Sequence, residues 1–386
     1  MEKRLSSTVP RATMPRKSVL EWIQSRAWMD ALKAKVGPKL KKVAFGPSPP
    51  NVFVGEYGYP DVRAGPLVAL DEGILDAPQD LYGLNYAGLL HHRAHLARGY
   101  AVKNVKRVAE EAFWIAASDK AVDVEATFHQ APKFSLSFSS HHQPVGPTGE
   151  LEKHTIADNP HVPKKIDTLL EEKRKVSEAL PELMKGFDYH YIQKIMSAGI
   201  LGKERKLVPT KWSITATDDL LGKEMLKKVR TLAPLDEIQI FTNNYLYNHF
   251  EILLLPGSWE FEQFESFETS PDISHEYEPF WGRTAYAKSE GGGYYAGRFG
   301  VIDALHKMGR QAAAVIFREV SPDYALPVGV WEVRHNVIGA FESKPFKTDD
   351  IAEAVAELKR RLKKPWKDYA GKSRILGQKK LTDEYE

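Results

Sequence analysis

The middle of the chain, Arg205–Gly222, reads RKLVPTKWSITATDDLLG and concentrates cations, hydroxyl groups and carboxylates in one short stretch. Pro209 favours an extended conformation for the residue before it. From Lys211 to Thr217, apolar or aromatic residues alternate with hydroxyl residues, which is typical of a strand with one buried face. The sequence therefore predicts a strand over 211–217 and then a helix whose first N–H groups are capped by Asp218.

The charged side chains of this stretch suggest two kinds of chemistry. Arg205, Lys206 and Lys211 are candidates for phosphate contacts, because lysine and arginine neutralise the backbone charge of nucleic acids. Asp218 and Asp219 follow the predicted strand and are candidates for catalysis or metal binding, since such loop positions often carry function. The alternative for Asp218 is a purely structural N-cap.

Acidic residues also alternate along Trp259–Phe267, which predicts another strand. If Glu262 and Glu265 met Asp218 and Asp219 in the fold, the four carboxylates could hold Mg²⁺ or Mn²⁺ through oxygen ligands, as in two-metal nucleases. The alternative is a solvated acidic face. The metal hypothesis therefore depends on the convergence of separate elements.

Residues 206–219 resemble the central signature of the archaeal Nre family, a run of basic-Leu-Val-Pro-Thr-basic-Trp-Ser-Ile-Thr-Ala-x-Asp-Asp. Further matches lie within 143–147 and 310–334, and the resemblance extends from about residue 42 to residue 386. It implies a role in DNA repair and binding to the sliding clamp PCNA through a short C-terminal motif. Family members commonly carry a cysteine-rich zinc element in their leader. This chain contains no cysteine, so the resemblance implies that the element is missing.

The predicted elements indicate an α/β fold with mixed β-sheets and flanking helices. Helical spacing predicts helices over Asp80–Arg98 and Lys103–Ser118, separated by Gly99. We expect two tightly associated domains and a short C-terminal tail. With the resemblance, the parts are a basic leader and helix at 1–41, an Nre N-terminal-like domain at 42–200, an Nre C-terminal-like domain at 201–365 and a basic tail at 366–386.

Composition and charge narrow the function classes. The absence of cysteine excludes disulfides and cysteine-ligated zinc. Residues 1–45 contain eleven Lys/Arg against three acidic residues, and residues 359–380 contain ten against one. Such basic ends suit nucleic acid or an acidic protein surface, the alternative being solvated arms. No apolar run approaches the length of a membrane span, so we expect a cytoplasmic, nucleoid-associated protein.

Two further segments are candidate sites. Phe45–Leu67 is rich in glycine and proline, and its backbone amides can line a phosphate or nucleotide, although a rigid turn is the alternative. Ser139–His142 places two hydroxyl groups beside two imidazoles and can supply a nucleophile and a base. Adjacency in sequence does not fix the geometry that such chemistry requires.

A third segment predicts contacts with nucleic acid. Gly291–Gly293 begins a predicted helix that Gly309 ends, and free N–H groups at such a start attract anions. Tyr295 is a candidate for stacking on a base, and Arg298 and Arg310 are candidates for phosphate contacts. The alternative is a plain flexible loop.

The sequence QKKLTDEY at 378–385 resembles a clamp-binding motif of the form Q-x-x-h-x-x-a-a. In such a motif, Gln378 occupies a polar pocket while Leu381 and Tyr385 enter a hydrophobic one. Glu384 stands in place of the usual first aromatic residue, which predicts weak binding.

These observations support three hypotheses. The first is a DNA repair factor recruited to PCNA that contacts DNA through basic and aromatic loops. The second is a metal-dependent nuclease or nucleotide-processing enzyme built on Asp218, Asp219 and the nearby glutamates. The third is a non-catalytic adaptor, and the sequence leaves open whether the protein is an enzyme.

Overall fold

The computed structural model describes residues 26–107, 110–172, 174–202 and 204–377. Within these ranges, twelve strands form two six-stranded sheets. The first sheet contains β1 (Val43–Ser48), β2 (Val52–Val54), β3 (Asp61–Ala69), β4 (Leu96–Asn104), β5 (Val122–Phe128) and β6 (Thr148–Ile156). The second contains β7 (Ile238–Tyr245), β8 (Asn248–Leu255), β9 (Glu260–Phe267), β10 (Ile273–Glu278), β11 (Ala313–Val320) and β12 (Phe346–Thr348).

Twelve α-helices lie around the sheets in the described ranges. The first seven are α1 (Arg26–Val36), α2 (Pro78–Leu81), α3 (Tyr86–Ala94), α4 (Glu110–Ala117), α5 (Lys164–Glu172), α6 (Val176–Leu183) and α7 (Tyr189–Ser197). The others are α8 (Thr210–Val229), α9 (Gly292–Met308), α10 (Trp331–Ala340), α11 (Ile351–Arg361) and α12 (Trp366–Ala370). The predicted α/β fold with mixed sheets and flanking helices is confirmed.

The first sheet has the order β1-β5-β6-β4-β3-β2. Its pairs are antiparallel except for β4 and β6, which run parallel from Arg98, opposite Thr148. Strand β5 has strictly alternating burial, because its valines, Ala126 and Phe128 face the core. Strands β3 and β4 form the longest pair, and one of their faces carries Arg63 opposite Val102.

The second sheet has the order β10-β9-β11-β8-β7-β12. Strands β9 and β11 are parallel, and the other neighbours pair antiparallel. Strand β11 lies in the middle of the sheet and is buried on both faces from Ala314 to Val320, which explains its almost continuous apolar sequence. Helix α9 ends at Gly309, whose φ of 67° is the left-handed conformation expected of a helix C-terminus.

The predicted strand over 211–217 is wrong, because these residues form the first two turns of helix α8. The buried face of these turns consists of hydroxyl residues, Thr210, Ser213 and Thr217, whereas the apolar Trp212 is exposed. Ser213 Oγ accepts from Gln193 Nε2 at 2.9 Å, so burial of the hydroxyl is compensated by a hydrogen bond. The apparent alternation therefore had no relation to the face that the fold buries.

Two predicted helices also require correction. The first, Asp80–Arg98, is divided into α2 and α3, and its last residues belong to strand β4. The second, Lys103–Ser118, contains a helix only over Glu110–Ala117. Gly99 lies inside β4 rather than between helices, and a Cβ there would lie only 2.8 Å from Leu151 Cδ2. Close strand packing therefore explains this glycine.

A single hydrophobic cluster joins the two sheets. It contains Val54 and Phe128 from the first sheet, Ile252 and Ile316 from the second, and Leu226 from α8 between them. Burial of each such side chain contributes roughly 1.5–3 kcal/mol. The two parts of the chain therefore share one core, with the long helix α8 at their junction.

Candidate nucleic-acid interface

A cleft of about 590 Å³ opens between the strand pair β3/β4 and the beginning of α8. Its floor is the solvent-facing side of the two strands, and its rim is the turn over 55–58 that joins β2 to β3. The loop that contains His142 closes the third side. The cleft is therefore built by the glycine- and proline-rich segment and by Lys211, which the sequence analysis singled out separately.

Arg98 lies in the wall of this cleft, where β4 directs its side chain toward the rim. Its Nη2 donates to the carbonyl oxygen of Arg63 at 3.1 Å, and its guanidinium lies 4.0 Å from the centre of the Phe53 ring. Its Nε is buried and has no hydrogen-bond partner within the described ranges. No carboxylate of those ranges forms an ion pair with it, so Arg98 is a cation without an internal counter-charge.

Burial, and to a lesser extent the neighbouring positive charge of Arg63, lower the pKa of Arg98 to about 10. The guanidinium nevertheless remains charged at neutral pH. A partly buried charge without a partner is costly, and an anion from outside would remove that cost. The geometry of Arg98 is therefore that of an anion-binding group.

Two more cations face the cleft. Arg63 is exposed, and its guanidinium lies 4.8 Å from the centre of the Tyr100 ring. Lys211 Nζ lies 3.3 Å from the carboxylate of Glu56. The cleft is lined by two carboxylates, Glu56 and Asp61, and by three cations, so its lining keeps a net positive charge of one.

Exposed aromatic side chains lie at the cleft, where Tyr57 is part of the lining, and beside it, where Tyr59 and Trp212 lie. Tyr57 is 87% exposed, and it is presented by a turn in which Gly58 has a φ of 84° that favours glycine. Tyr59 and Trp212 lie with ring centroids 5.2 Å apart, and both remain more than 40% exposed. Lys206 Nζ lies 5.3 Å from the centre of the Tyr59 ring. Exposed rings beside cations are the arrangement on which unpaired bases stack.

The histidine loop over 139–143 closes the cleft from the side of the second sheet. Ser140 Oγ and His141 Nδ1 lie 3.0 Å apart, and His142 packs edge-on against Phe53. Burial lowers the pKa of both imidazoles, so both are neutral at pH 7. Gly329, with a φ of 100°, lies against the backbone of His142 and leaves no room there for a side chain. The predicted contact between a hydroxyl group and an imidazole is present as the hydrogen bond between the adjacent residues Ser140 and His141.

The structure separates the two aspartates that were predicted as catalytic. Asp218 is fully buried and accepts from Arg334 Nε at 2.7 Å and from Arg334 Nη2 at 2.6 Å. Asp219 points to the surface and pairs with Lys223 at 2.6 Å. Asp218 lies in the third turn of α8, so the predicted N-cap is also wrong.

The two glutamates have separate partners as well. Glu262 is fully buried and accepts from Ser373 Oγ, from the N–H of Arg374 and from His275 Nε2. Glu265 forms an ion pair with Arg318. In the ranges that the structure describes, no three histidine or carboxylate side chains are grouped so that they can hold a metal ion. The four predicted ligands do not converge, because each is paired within the protein.

The residues predicted to contact DNA divide into two groups. Lys211 lines the cleft, and Lys206 lies outside its lining, beside the Tyr59 ring. Arg205 is exposed beside the Phe113 ring, with its guanidinium 4.8 Å from the ring centre. Arg298 is buried and bonded to Glu278 at 2.7 and 2.8 Å.

The other two predicted contacts lie elsewhere. Tyr295 is half-buried, and its hydroxyl accepts from the N–H of Ala287 at 3.3 Å. Arg310 pairs with Asp236 at 3.0 Å and does not line the cleft.

Sequence reasoning missed Arg63, Arg98 and Tyr57. Arg98 was assigned to a helix. It lies on the same face of β4 as Tyr100 and Val102, and this period of two residues is the signal that identifies it as a strand residue on an open face. The predicted clamp-binding residues Gln378, Leu381, Glu384 and Tyr385 lie outside the described ranges. The residues shortly before this motif are attached to the folded body, since α12 and Ser373 pack against the second sheet.

No helix in the described part of the chain is long and apolar enough to cross a membrane.

Comparison with known proteins identifies relatives along almost the whole chain. A family model described as archaeal Nre, N-terminal, matches residues 26–271, and one described as archaeal Nre, C-terminal, matches residues 278–384. The DNA repair protein NreA of Archaeoglobus fulgidus is 34% identical over 85% of this chain and 88% of its own length. NreA of Haloferax volcanii is 33% identical over 81% and 82%. NreB of A. fulgidus, also named a DNA repair protein, is 32% identical over 85% and 87%. No solved structure matches the chain.

Proposed function

The chain belongs to the archaeal Nre family, and from this premise we propose that it is a DNA repair factor that binds DNA in the basic cleft between β3/β4 and α8. The names of its relatives support the repair role, and the cleft supports the DNA contact. Such a function would place the protein at the nucleoid. The boundaries predicted after residues 41, 200 and 365 stay predictions.

The unpaired guanidinium of Arg98 is the observation that carries the DNA contact. Its Nε is buried without an acceptor, and the three cations of the cleft lining exceed its two carboxylates, Glu56 and Asp61. A phosphate oxygen bound at the accessible part of the guanidinium would supply the missing negative charge. Arginine is well suited to this role, because its guanidinium stays charged and can make two parallel bonds to a phosphate.

The rings at the rim extend the contact from phosphate to base. Tyr57, Tyr59 and Trp212 are exposed beside the cations, and base–aromatic stacking contributes roughly 1–3 kcal/mol per base. His142 and Phe53 form the inner wall. A nucleotide in the cleft would thus have its phosphate at Arg98 and its base against the aromatic rim.

Fluorescence anisotropy with labelled DNA tests this assignment. The Arg98→Gln variant should bind about tenfold more weakly, and its affinity should depend less steeply on salt by about one phosphate contact. Arg310→Gln is a matched control, because Arg310 is an exposed arginine that does not line the cleft. Equal affinity of the Arg98 variant and the wild type would refute the cleft as the DNA site.

We further propose that the terminal motif recruits the protein to the sliding clamp PCNA. The motif at Gln378, Leu381, Glu384 and Tyr385 follows a segment that Glu262 fastens to the second sheet through Ser373 and Arg374. A short anchor of this kind binds through a few side chains in preformed pockets. The folded body would therefore be held close to the clamp.

Deletion of residues 378–386 tests the recruitment. The deletion should abolish binding to purified PCNA and leave the affinity for DNA within about twofold, because the cleft lies in the folded body. Thr382→Ala is a matched control at a position of the motif that makes no pocket contact, and it should bind PCNA like the wild type. Retained clamp binding by the deletion variant would refute the motif.

The metal-dependent nuclease hypothesis receives no support from the arrangement of Asp218. Its carboxylate is fully buried and both oxygens are engaged by Arg334, so it has no free oxygen for a metal ion. A non-catalytic factor, in which the cleft binds DNA and the motif binds the clamp, accounts for the observed contacts.

A further inference from the structure

A second cleft, of about 520 Å³, lies at the other end of helix α8. It is formed by the last turns of α8, by the segment over 278–286 and by the beginning of α9. Its composition repeats that of the first cleft, since arginines lie beside exposed aromatic rings. Neither the family models nor the names of the relatives assign this cleft a function.

Arg230, the residue after α8, occupies in this cleft the role that Arg98 has in the first. Its Nε is buried without a hydrogen-bond partner, and no carboxylate in the described ranges forms an ion pair with it. Its guanidinium lies 5.3 Å from the centre of the Phe280 ring. Burial lowers its pKa, and it stays charged, as arginines do.

A second guanidinium in this cleft also has a free donor. Arg298 bonds Glu278 through Nε and Nη2, but its buried Nη1 has no partner within the described ranges. Its side chain is only 3% exposed, so water compensates this donor poorly. Arg298 therefore contributes positive charge behind the cleft wall, and Arg230 is the cation without an ion pair that the cleft presents to an anion.

The remaining cations of the cleft are paired. Lys223 is bonded to Asp219, Lys227 to Glu224 and Arg283 to Glu276. These pairs, together with that of Arg298 and Glu278, leave Arg230 as the main source of attraction for a phosphate. The cleft therefore offers an anion a few contacts at fixed positions rather than a broad positive surface.

The most exposed aromatic residues of the described chain lie one at each cleft. Tyr57 is 87% exposed at the first, and Trp281 is 85% exposed at the second. Trp212, at 45%, and Tyr286, at 52%, are also exposed. Such large rings in water are costly, and each offers a flat surface for stacking.

One row of side chains on α8 connects the clefts. The residues Lys211, Thr215, Asp219, Lys223 and Lys227 follow one another at intervals of four and so lie along one ridge of the helix. Lys211 lines the first cleft, and the last three line the second. The Tyr286 hydroxyl lies close enough to the Thr215 side chain to interact with it, which places that ring beside the middle of the ridge. The ridge is about 24 Å long, since a helix rises 1.5 Å per residue.

We propose that one single strand of DNA occupies both clefts and runs along this ridge of α8. The inference rests on the proposed function, because it extends the DNA site from the first cleft to the second. Phosphates would contact Arg98 at one end and Arg230 at the other, while bases stack on Tyr57 and Trp281. Unpaired bases are required for such stacking, because the faces of bases inside a duplex are covered by their neighbours.

The length of the ridge sets the length of the strand. At about 3.4 Å per stacked nucleotide, 24 Å corresponds to roughly seven nucleotides. An oligonucleotide of about four nucleotides can therefore occupy one cleft, whereas one of about twelve reaches both.

Anisotropy with labelled oligothymidylates of about four and twelve nucleotides, and with a twelve-base-pair duplex, tests the proposal. The longer single strand should bind wild type at least tenfold more tightly than either other probe. Trp281→Ala and Arg230→Gln should each weaken binding of the longer strand about tenfold and that of the shorter strand by no more than about twofold, because the first cleft stays available to the shorter strand. Trp281 is exposed, so its replacement should not disturb folding.

Phe267→Ala and Arg310→Gln serve as matched controls, since both residues are exposed and line neither cleft. If Arg98→Gln weakens DNA binding but Trp281→Ala and Arg230→Gln bind the longer strand like the wild type, the second cleft is refuted and the first stands. If the duplex binds as tightly as the longer single strand, the single-strand assignment is refuted. If Arg98→Gln has no effect on any probe, the proposed function itself fails.

Discussion

Arg334 and Arg98 are both partly or wholly removed from water, but their surroundings differ in one respect. Arg334, in the shared core, makes two hydrogen bonds to Asp218 and lies 3.9 Å from the centre of the Tyr189 ring. Arg98, in the first cleft, has a carbonyl acceptor and an aromatic ring but no carboxylate. The first guanidinium is neutralised within the protein, and the second is not.

This difference separates a structural charge from a binding charge. A buried ion pair whose hydrogen bonds are complete holds elements together and has nothing left for a ligand. A cation that the fold leaves unpaired at the wall of a cleft keeps its interaction for a partner from outside. Arg334 therefore stabilises the junction between the sheets, whereas Arg98 is available to bind a ligand.

Lys194 provides a third case inside the core. Its Nζ donates to the carbonyl oxygen of Ser118 and lies 4.3 Å from the centre of the Tyr191 ring, without an ion-paired carboxylate in the described ranges. Burial lowers its pKa to about 7, because the charged amine is poorly solvated there. A lysine can lose its proton in such a place, whereas an arginine cannot. The cost of burying each positive charge is therefore offset in a different way: by an ion pair at Arg334, by deprotonation at Lys194 and by a ligand at Arg98.

The largest expected effect is on the paired arginine. Asp218→Asn keeps the shape of the side chain but leaves Arg334 as a buried charge without a counter-charge. The free energy of unfolding should fall by about 3–5 kcal/mol, as measured in a urea titration. Asp219→Asn, at the next position on the surface, breaks only an exposed pair with Lys223 and should cost about 0.5 kcal/mol or less.

An unchanged stability of Asp218→Asn would show that the ion pair is dispensable, and Arg334 could then no longer be called a structural charge. A loss of DNA cleavage without a loss of stability would instead support the catalytic role that the sequence suggested for this aspartate.

The second effect concerns the pH dependence of stability. The pKa of Lys194 is about 7 in the folded state and 10.5 at its ordinary value, so the unfolded chain binds more protons between these limits. Stability contributed through Lys194 should therefore rise from pH 7 to pH 10, on the order of 3 kcal/mol. Lys194→Met removes this pH-dependent contribution to the free energy of unfolding. It also lowers the stability by an amount that does not depend on pH, because the carbonyl of Ser118 loses its hydrogen bond. Parallel pH profiles of the two proteins would contradict the assignment.

Much of the fold could be predicted from local pattern, and the exceptions have a common cause. Strand β9 forms where it was predicted, although its burial does not alternate, and α9 ends at Gly309 as predicted, because a left-handed glycine is a local signal. Helix α8 was predicted as a strand because its first turns bury Ser213 and Thr217 and expose Trp212. Which face is buried there depends on distant partners such as Gln193, and the sequence of the stretch does not contain them.

The candidate site was predicted in the same partial way. Lys211 and the glycine-rich turn were identified by residue type, and the structure places both at one cleft. Arg98 was missed, because its significance is that no carboxylate lies near it, and this depends on the whole tertiary structure. The predicted metal cluster failed for the complementary reason: each carboxylate has a cation or hydrogen-bond donor nearby that the sequence does not place.

The third effect is the stabilisation of the folded protein by DNA. At a concentration of single-stranded DNA about 100 times the dissociation constant, the free energy of unfolding should rise by about 2.7 kcal/mol. If Arg98→Gln weakens binding tenfold, the same concentration should stabilise that variant by about 1.4 kcal/mol. Equal stabilisation of both proteins, measured in urea titrations with and without DNA, would place the DNA away from Arg98.

The smallest effect is expected for Arg98→Gln without DNA, and its small size distinguishes Arg98 from the ion-paired Arg334. The substitution removes a charge that has no internal partner, which favours the folded state, and it also removes the contact with the Phe53 ring, which opposes it. These terms are of similar size, so stability should change by about 1 kcal/mol or less in either direction. A loss comparable to that of Asp218→Asn would mean that Arg98 holds the fold together, because only a residue whose interactions are satisfied within the protein can cost that much when it is replaced.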